Sequence, residues 1–180
     1  MVGRNQCRFK TKLIQMKYNM IFLFLATLTV GLSAGFMSAW TLSVTNGISR
    51  ISDVNYLHAF QSMNRAIINL PFLIFFLGPI ILLPLATYFN IKPEFGMKFW
   101  CIVAGSILYL VGVMGVTFLG NIPLNNTLDQ LPIDNLSEEE LRNFRMGFEE
   151  KWNRLHTIRT ITSSLAFILL CYSCLLFSND

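Results

Sequence analysis

Polar residues able to bind or act on a small molecule occur in three groups along this chain. The first group is His58, Gln61, Asn64 and Arg65, of which His58, Gln61 and Arg65 are spaced to share one helix face. The other two groups are Thr117, Asn121 and Asn125, and then Trp152, His156 and Arg159 at spacings of four and three. Imidazole is a base near neutral pH, and guanidinium and amide groups stabilise negative oxygen. These residue types indicate acid–base chemistry beside an oxygen atom.

The elements that must position these groups are membrane helices. Residues 18–49, 66–91, 99–128 and 160–179 contain no Asp, Glu, Lys or Arg. Crossing a bilayer takes about 20 apolar residues in a helix, so each stretch is long enough. Apolar residues make up 53% of the chain and charged residues only 13%, which is typical of a membrane bundle. The sequence predicts an all-α fold, a transmembrane four-helix bundle.

The expected organisation is a single integral membrane domain over residues 1–180. The predicted spans cover about residues 19–43, 69–89, 97–119 and 157–177, and an outer loop covers about 120–156. The pattern Ser137-Glu138-Glu139-Glu140 is a capping box that starts a helix. This helix is expected to run without interruption into the fourth span.

Local signals suggest where the other helices begin and end. Asn46-Gly47 predicts a turn after the first span, and Asp53 predicts the cap of the next helix. That helix is expected to continue into the second span, with Asn69 one turn beyond the polar stripe. Pro71, Pro79 and Pro84 predict kinks within the span, and Pro123 and Pro132 predict non-helical chain after the third span.

The distribution of basic residues predicts the orientation. Arg4, Arg8, Lys10, Lys12 and Lys17 precede the first span, and such residues stay in the cytoplasm. Both termini are therefore expected to be cytoplasmic, in a plasma or inner membrane, with the polar groups at the outer end. The net charge of +4 forms no face for nucleic acid, so the bilayer is the predicted partner. The four cysteines are expected to be free thiols.

Each polar residue also has a structural interpretation. Arg65 and Arg159 could reach lipid headgroups as interfacial anchors, and Trp152 could belong to the aromatic belt. Asn64 and Asn69 could form interhelical hydrogen bonds. The convergence of all three groups at one end of the bundle favours a site.

Three sequence blocks resemble the anthrone oxygenase-like family of small integral membrane proteins. They are His58-Ala-Phe-Gln-Ser-Met-Asn-Arg-Ala-Ile-Ile-Asn-Leu-Pro-Phe72, Val116-Thr-Phe-Leu-Gly-Asn-Ile-Pro-Leu-Asn125 and Trp152-Asn-Arg-Leu-His-Thr-Ile-Arg-Thr160. The resemblance covers nearly all of the chain from Tyr18 onward, and Leu70 departs from the residue type more common before the proline. It implies four spans in one domain. Characterised fungal relatives oxidise anthrones to anthraquinones.

The resemblance implies an oxidoreductase that oxidises a small hydrophobic, enolisable substrate with dioxygen. In this hypothesis His156 is the base, and Arg159 and Arg65 stabilise the oxyanion. The asparagines Asn64, Asn121 and Asn125 orient the oxyanion, and Gln61, Trp152 and Thr117 contact the substrate. The reaction needs no cofactor in one version. In the other version His58 and His156 bind a metal.

Two other functions stay open at the level of sequence. The chain could be a non-enzymatic membrane protein, either a small-molecule binder or a structural partner whose polar cluster is a packing network. Transport is a third function, and four spans without internal repeats would require a homo-oligomer for it.

Overall fold

A computed structural model describes the backbone of residues 2–91 and 95–176, and the side chains from residue 17 onward. Helix α1 runs through Val2–Ala39, a π-helical turn at Trp40–Val44 and a last turn at Thr45–Ile48. Helix α2 is Asp53–Ala66. Helix α3 consists of Leu70–Leu77 and Pro79–Phe89, joined at the helical residue Gly78.

The remaining two helices are long. Helix α4 is Met97–Asp129, and its segments are Met97–Ile107, the π-helical Leu108–Gly115 and Thr117–Asn121, and Ile122–Asp129. A 3₁₀ turn at Ile133–Asn135 precedes α5, which is Glu138–Leu175. The predicted capping box is present, since Ser137 and Glu140 exchange side-chain and backbone hydrogen bonds.

Four of these helices are long and apolar enough to cross a membrane: Lys17–Ile48 of α1, then α3, α4 and α5. Neither 2–91 nor 95–176 contains a strand. The prediction of an all-α transmembrane four-helix bundle is therefore confirmed. The predicted end of the last span, Phe177, and residues 92–94 of the turn before α4 lie outside the described residues.

The predicted continuous helix from Asp53 into the second span is wrong, because the chain breaks between α2 and α3. Asn69 is extended and caps both helices: its Nδ2 donates to Ala66 O at 3.0 Å, and its Oδ1 accepts from Phe72 N at 3.1 Å. Pro71 has no N–H to donate to the carbonyl of Ile67, and proline is tolerated in the first turn of a helix, so a new helix start here is expected. Asn69 is a cap and does not extend the polar stripe of α2.

Three other local predictions also need correction. Asn46 and Gly47 lie within the last turn of α1, where Asn46 Nδ2 donates to Leu42 O at 3.2 Å. The cap of α2 is Ser52, which accepts from Asn55 N, while Asp53 lies in the first turn. Pro123 does not end α4 but falls in the first turn of Ile122–Asp129, where a missing backbone N–H is tolerated.

The proline in the middle of α3 is compensated by neighbouring helices. Pro79 has no N–H to donate to the carbonyl of Phe75, and Ser33 Oγ of α1 donates to that oxygen at 3.0 Å. The Tyr109 hydroxyl of α4 lies 2.8 Å from Ser33 Oγ and 2.9 Å from the carbonyl oxygen of Phe76. One buried network therefore connects α1, α3 and α4 at the centre of the bundle.

Glycines allow α4 and α5 to approach closely. A Cβ atom added to Gly112 would lie 2.7 Å from Thr162, and one added to Gly105 would lie 3.2 Å from Leu170. On α1, Gly31 packs against Phe167 as the small-residue pattern predicts, whereas Gly35 has no atom within 4 Å of its added Cβ. Helix α5 therefore packs against both α1 and α4.

Apart from the apolar core between the spans, a separate apolar cluster covers one end of the bundle. It joins α2, the turn before α5 and the first half of α5 through the buried residues Tyr56, Leu57, Phe60, Leu128, Ile133, Leu141, Phe148 and Trp152. The first half of α5 therefore continues beyond the spans and is covered by α2. This cluster, the end cluster, forms one wall near the polar residues.

Arg145 of α5 connects this end of the molecule to the chain between α1 and α2. Its guanidinium donates to Ser49 O at 2.7 Å, to Ile51 O at 2.8 Å and to Asp53 Oδ1 at 2.8 Å. It also donates to Glu149 Oε2 at 2.9 Å. Only 11% of its side chain is exposed, so these bonds are largely protected from solvent.

The same guanidinium lies over an aromatic ring. Its carbon atom is 4.3 Å from the ring centre of Tyr56, within cation–π range. Burial, with Glu149 nearby, raises the pKa of the Tyr56 phenol, so the ring stays neutral beneath the cation. Arg145 therefore stabilises the position of α2 on α5.

We expect Arg145→Gln to lower the free energy of unfolding by about 2–4 kcal/mol, because four hydrogen-bond acceptors, two of them part-buried carboxylates, lose a charged donor. The measurement is thermal unfolding of the protein in detergent. Arg142→Gln is the matched control, since Arg142 is exposed on the same helix. Equal melting temperatures for the two variants would contradict this role of Arg145.

Candidate functional site

A cavity of about 400 Å³ lies beside the end cluster, and four spans and the end of α2 contribute to it. Apolar walls come from α1 with Phe36 and Met37, and from α3 with Phe72 and Phe76. The polar lining comes from α2, α4 and α5. Its volume is in the range of sites for small organic ligands, which are typically apolar with a few placed polar groups.

Eight of the ten residues predicted from sequence line this one cavity. They are Asn64, Arg65, Thr117, Asn121, Asn125, Trp152, His156 and Arg159. They belong to three helices, α2, α4 and α5, whose polar groups were predicted to meet at one end of the bundle. The other two, His58 and Gln61, do not line it.

His58 and Gln61 instead fasten α2 to the chain that follows α4. His58 Nε2 is 3.1 Å from Asp134 Oδ1 on an exposed surface. Gln61 Nε2 donates to the carbonyl oxygens of Leu128 and Leu131 at 2.8 and 3.2 Å. Their residue types match a site, but their partners are structural.

The structure does not bring His58 and His156 into one metal-ligand set. Among the described side chains, which begin at residue 17 and omit 92–94 and 177–180, no three His, Cys, Asp or Glu residues form a group that could hold a metal ion. His58 faces Asp134, while His156 is buried at 3% exposure among α1 and α5. Cys101, Cys171 and Cys174 are free thiols, and the side chain of Cys7 lies outside the described residues.

Both ring nitrogens of His156 have partners. Nε2 lies 3.2 Å from Met37 O, and since a carbonyl only accepts, Nε2 carries the hydrogen. Nδ1 lies 3.0 Å from Arg159 Nη2 and accepts from it. These contacts assign a neutral imidazole whose single lone pair faces the guanidinium.

The indole of Trp152 packs against one face of the His156 ring. The Trp152 and His156 rings stack with centres 4.7 Å apart and an angle of 18° between their planes. Trp152 Nε1 donates to Asn125 Oδ1 at 2.9 Å, which connects α5 to α4. His156 is therefore held by packing as well as by hydrogen bonds.

Arg159 is a buried cation without an acidic partner. Only 6% of its surface is exposed. Its Nη1 donates to Thr117 Oγ1 at 3.2 Å and its Nη2 to His156 Nδ1 at 3.0 Å, and both acceptors are neutral. Among the described side chains, no carboxylate forms an ion pair with it, and its Nε has no hydrogen-bond partner. A buried charge in this situation is costly.

Other polar atoms at the cavity also lack protein partners. Asn121 is 1% exposed, and neither its Nδ2 nor its Oδ1 makes a hydrogen bond within the described residues. Asn64 Nδ2 and Trp40 Nε1 are buried without partners as well. Buried polar groups are normally satisfied, so a cluster of exceptions at one cavity indicates a site for a ligand with polar atoms.

One edge of the cavity is polar and exposed. Arg65 Nε donates to Asp129 Oδ1 at 2.7 Å between α2 and α4, with side-chain exposures of 64% and 47%. Asn126 is exposed beside them. Arg65 is exposed and its charge is paired, whereas the charge of Arg159 is buried and unpaired.

Sequence reasoning missed part of the lining. Phe36, Met37 and Trp40 of α1 fall in the predicted first span without a predicted role, and Asn126 and Asp129 fall in the predicted outer loop. The four-residue spacing of Phe36 and Trp40 was a usable signal for one helix face. The contribution of Met37 is a backbone carbonyl, and no side-chain pattern reveals it.

Comparison with known proteins identifies a family for the chain. The family model described as Anthrone oxygenase matches residues 72–169, which is more than half of the chain. The match includes Thr117, Asn121, Trp152, His156 and Arg159. No curated protein and no solved structure matches the chain. The chain belongs to the anthrone oxygenase family.

Proposed function

We propose that this membrane protein is an oxygenase that oxidises a small aromatic ketone with an acidic methylene group, using dioxygen. The observation that carries this proposal is Arg159, a buried guanidinium that opens onto an apolar cavity without a carboxylate partner. A cation placed this way stabilises negative charge that develops on a ligand oxygen. The family assignment supports the same reaction.

The cavity suits an uncharged ligand of a few fused rings that carries oxygen atoms. Phenylalanine and leucine side chains from α1 and α3 would contact the rings. The unbonded groups of Asn121, Asn64 and Arg159 would bind the oxygen atoms. A carbonyl oxygen can accept from Arg159 Nε, and a hydroxyl can use both atoms of the Asn121 amide.

His156 is the proposed base, and its lone pair must first be released. In the structure Arg159 Nη2 donates to Nδ1, the only nitrogen free to accept a proton. A ligand oxygen that accepts from Arg159 Nη2 as well as from Nε would draw this donor away and expose Nδ1. Proton removal would then follow substrate binding, because the ligand oxygen competes for the same guanidinium.

The proposed reaction balances without an added cofactor. The base removes one proton from the methylene carbon, and the negative charge spreads to the carbonyl oxygen near Arg159. The carbanion gives an electron to dioxygen, the two radicals combine into a C–O bond, and the resulting peroxide takes up a proton. Loss of the second C–H proton with cleavage of the O–O bond yields a new carbonyl and water.

We further propose that the cavity faces the outer side of the membrane and that both termini are cytoplasmic. Five basic residues precede the first span, and such residues favour the cytoplasm. The end of the bundle that holds the cavity is the one where α1 ends, opposite this basic segment. A plasma or inner membrane suits this orientation.

A packing network is the competing explanation of the polar cluster, and stability distinguishes the two. We expect Arg159→Met to melt no lower than the wild type, because it removes an uncompensated buried charge. Replacing buried charges by apolar groups of similar size is often neutral or stabilising by about 1–4 kcal/mol. Arg154→Met, at an exposed position of the same helix, is the control for thermal unfolding in detergent. A clearly lower melting temperature for Arg159→Met alone would support the packing network.

The catalytic proposal is tested with the two histidines of the chain. Vesicles containing the protein are given anthrone, and dioxygen uptake and anthraquinone formation are followed above the rate with empty vesicles. We expect one dioxygen per anthrone, and His156→Ala should lower kcat by about 10²–10⁴ as for the loss of a general base.

His58→Ala is the matched control for this experiment, because His58 binds Asp134 outside the cavity. It should keep the wild-type rate. Full activity of His156→Ala would exclude that residue as the base. Loss of activity in both variants would contradict the structural role of His58 outside the cavity.

A further inference from the structure

We propose that the ligand reaches the cavity sideways from the bilayer, through a gap between the first half of α3 and α4. The identity of the ligand rests on the function proposed above, while the gap rests on the packing of the helices. Within α3, Pro79–Phe89 packs against both α1 and α4. Leu70–Leu77 packs mainly against α1, and its hydrogen bond to α4, from the Tyr109 hydroxyl to Phe76 O, lies at the end nearest Pro79. The two helices therefore diverge toward the end that holds the cavity.

The lining of the cavity identifies the position of its mouth. Leu73 and Phe76 of α3 line the cavity, and so do Phe118 and Ile122 of α4. Phe118 lines the cavity and is nevertheless 50% exposed, and Ile68, just before α3, is 73% exposed. Residues that are both cavity walls and surface mark an opening, and these two are apolar.

The depth of this opening corresponds to the hydrocarbon of one leaflet. Helix α3 has 20 residues, or about 30 Å, which is the thickness of the bilayer core. Leu70–Leu77 is the first part of that length. Asn69 caps both α2 and α3 and so stabilises the break at Ile67–Asn69. The chain enters the first half of α3 at this break, beside the gap.

The edge that faces water is closed differently. Arg65 and Asp129 form an ion pair across it at 2.7 Å, and Gln61 donates to the carbonyl of Leu128 at the end of α4 and to that of Leu131 just after it. An apolar molecule entering from water would have to pass these charged groups. It is also far less concentrated in water than in the lipid. The bilayer route therefore selects uncharged, planar molecules.

The same route retains the reactive form of the ligand. A neutral ketone and a neutral product can both cross the apolar gap. The enolate cannot, since moving an unpaired charge into hydrocarbon is strongly unfavourable, and it would stay beside Arg159 until it has reacted.

The test follows binding without requiring turnover. Trp40 and Trp152 line the cavity, and Trp100 is the only other tryptophan, so Trp100→Phe leaves fluorescence from the site alone. Anthrone is added in lipid vesicles, and the rates of quenching and of recovery are measured. Leu73→Phe with Ile122→Phe narrows the gap, and Phe118→Ala widens it.

Ile74→Phe with Leu119→Phe is the matched control, because these neighbours on the same helices are 59% and 86% exposed and do not line the cavity. We expect the narrowed variant to slow both association and dissociation by about tenfold with little change in Kd, as for a change in access alone. Phe118→Ala should speed both. Asp129→Asn should change neither.

Unchanged rates in both the narrowed and the widened variants, or faster association in Asp129→Asn, would overturn the bilayer route. Failure of anthrone to quench saturably would count against the proposed function, and a second arm then decides the route. Lipids with bromine on the acyl chain quench the fluorescence of nearby tryptophans. They should quench Trp40 and Trp152 more strongly in the Trp100→Phe protein than in the same protein with Leu73→Phe and Ile122→Phe added. Equal quenching would overturn the gap.

Discussion

The buried, unpaired charge of Arg159 is the constraint on which the arrangement of this protein depends. A guanidinium at 6% exposure between membrane helices needs polar partners, and its neighbours supply only neutral ones, Thr117 and His156. Its third nitrogen is left for something else. Packing alone would be served better by an apolar side chain of the same volume. The position is understandable if negative charge appears beside it during a reaction.

Irregular backbone makes room for this charge. The π-helical turns of α1 and α4 contain Trp40, Thr117 and Asn121, three residues of the cavity. Such turns widen a helix locally and are frequent at functional sites. Farther in, the carbonyl left without a donor by Pro79 receives a hydrogen bond from Ser33. Hydrogen bonds of Ser33 and Tyr109 join α1, α3 and α4 at the centre of the bundle, and this helps it to tolerate irregular backbone at one end.

Most of the fold follows from the sequence, and so do the residue types of the site. Charge-free stretches define the spans, and Ser137 with Glu140 defines the start of α5, because both signals are local. The break at Asn69 was not predicted, since it depends on one side chain serving two helices. Gln61 and His58 have the composition of a site but bind Leu128 and Asp134 instead. Spacing shows which residues share a helix face, as for Trp152, His156 and Arg159, but packing decides whether that face meets a cavity.

A cavity at the end of a membrane bundle reconciles two opposing requirements of the proposed chemistry. An apolar ligand and dioxygen are both concentrated in hydrocarbon, whereas a developing oxyanion needs polar groups that hydrocarbon lacks. The phenylalanines of α1 and α3 give the cavity an apolar wall, and Arg159 and Asn121 form a small polar region in the same cavity. Stacked Trp152 and the carbonyl of Met37 hold His156 between the two regions. The proton, the charge and the rings of a ligand would each then meet the surroundings that stabilise them.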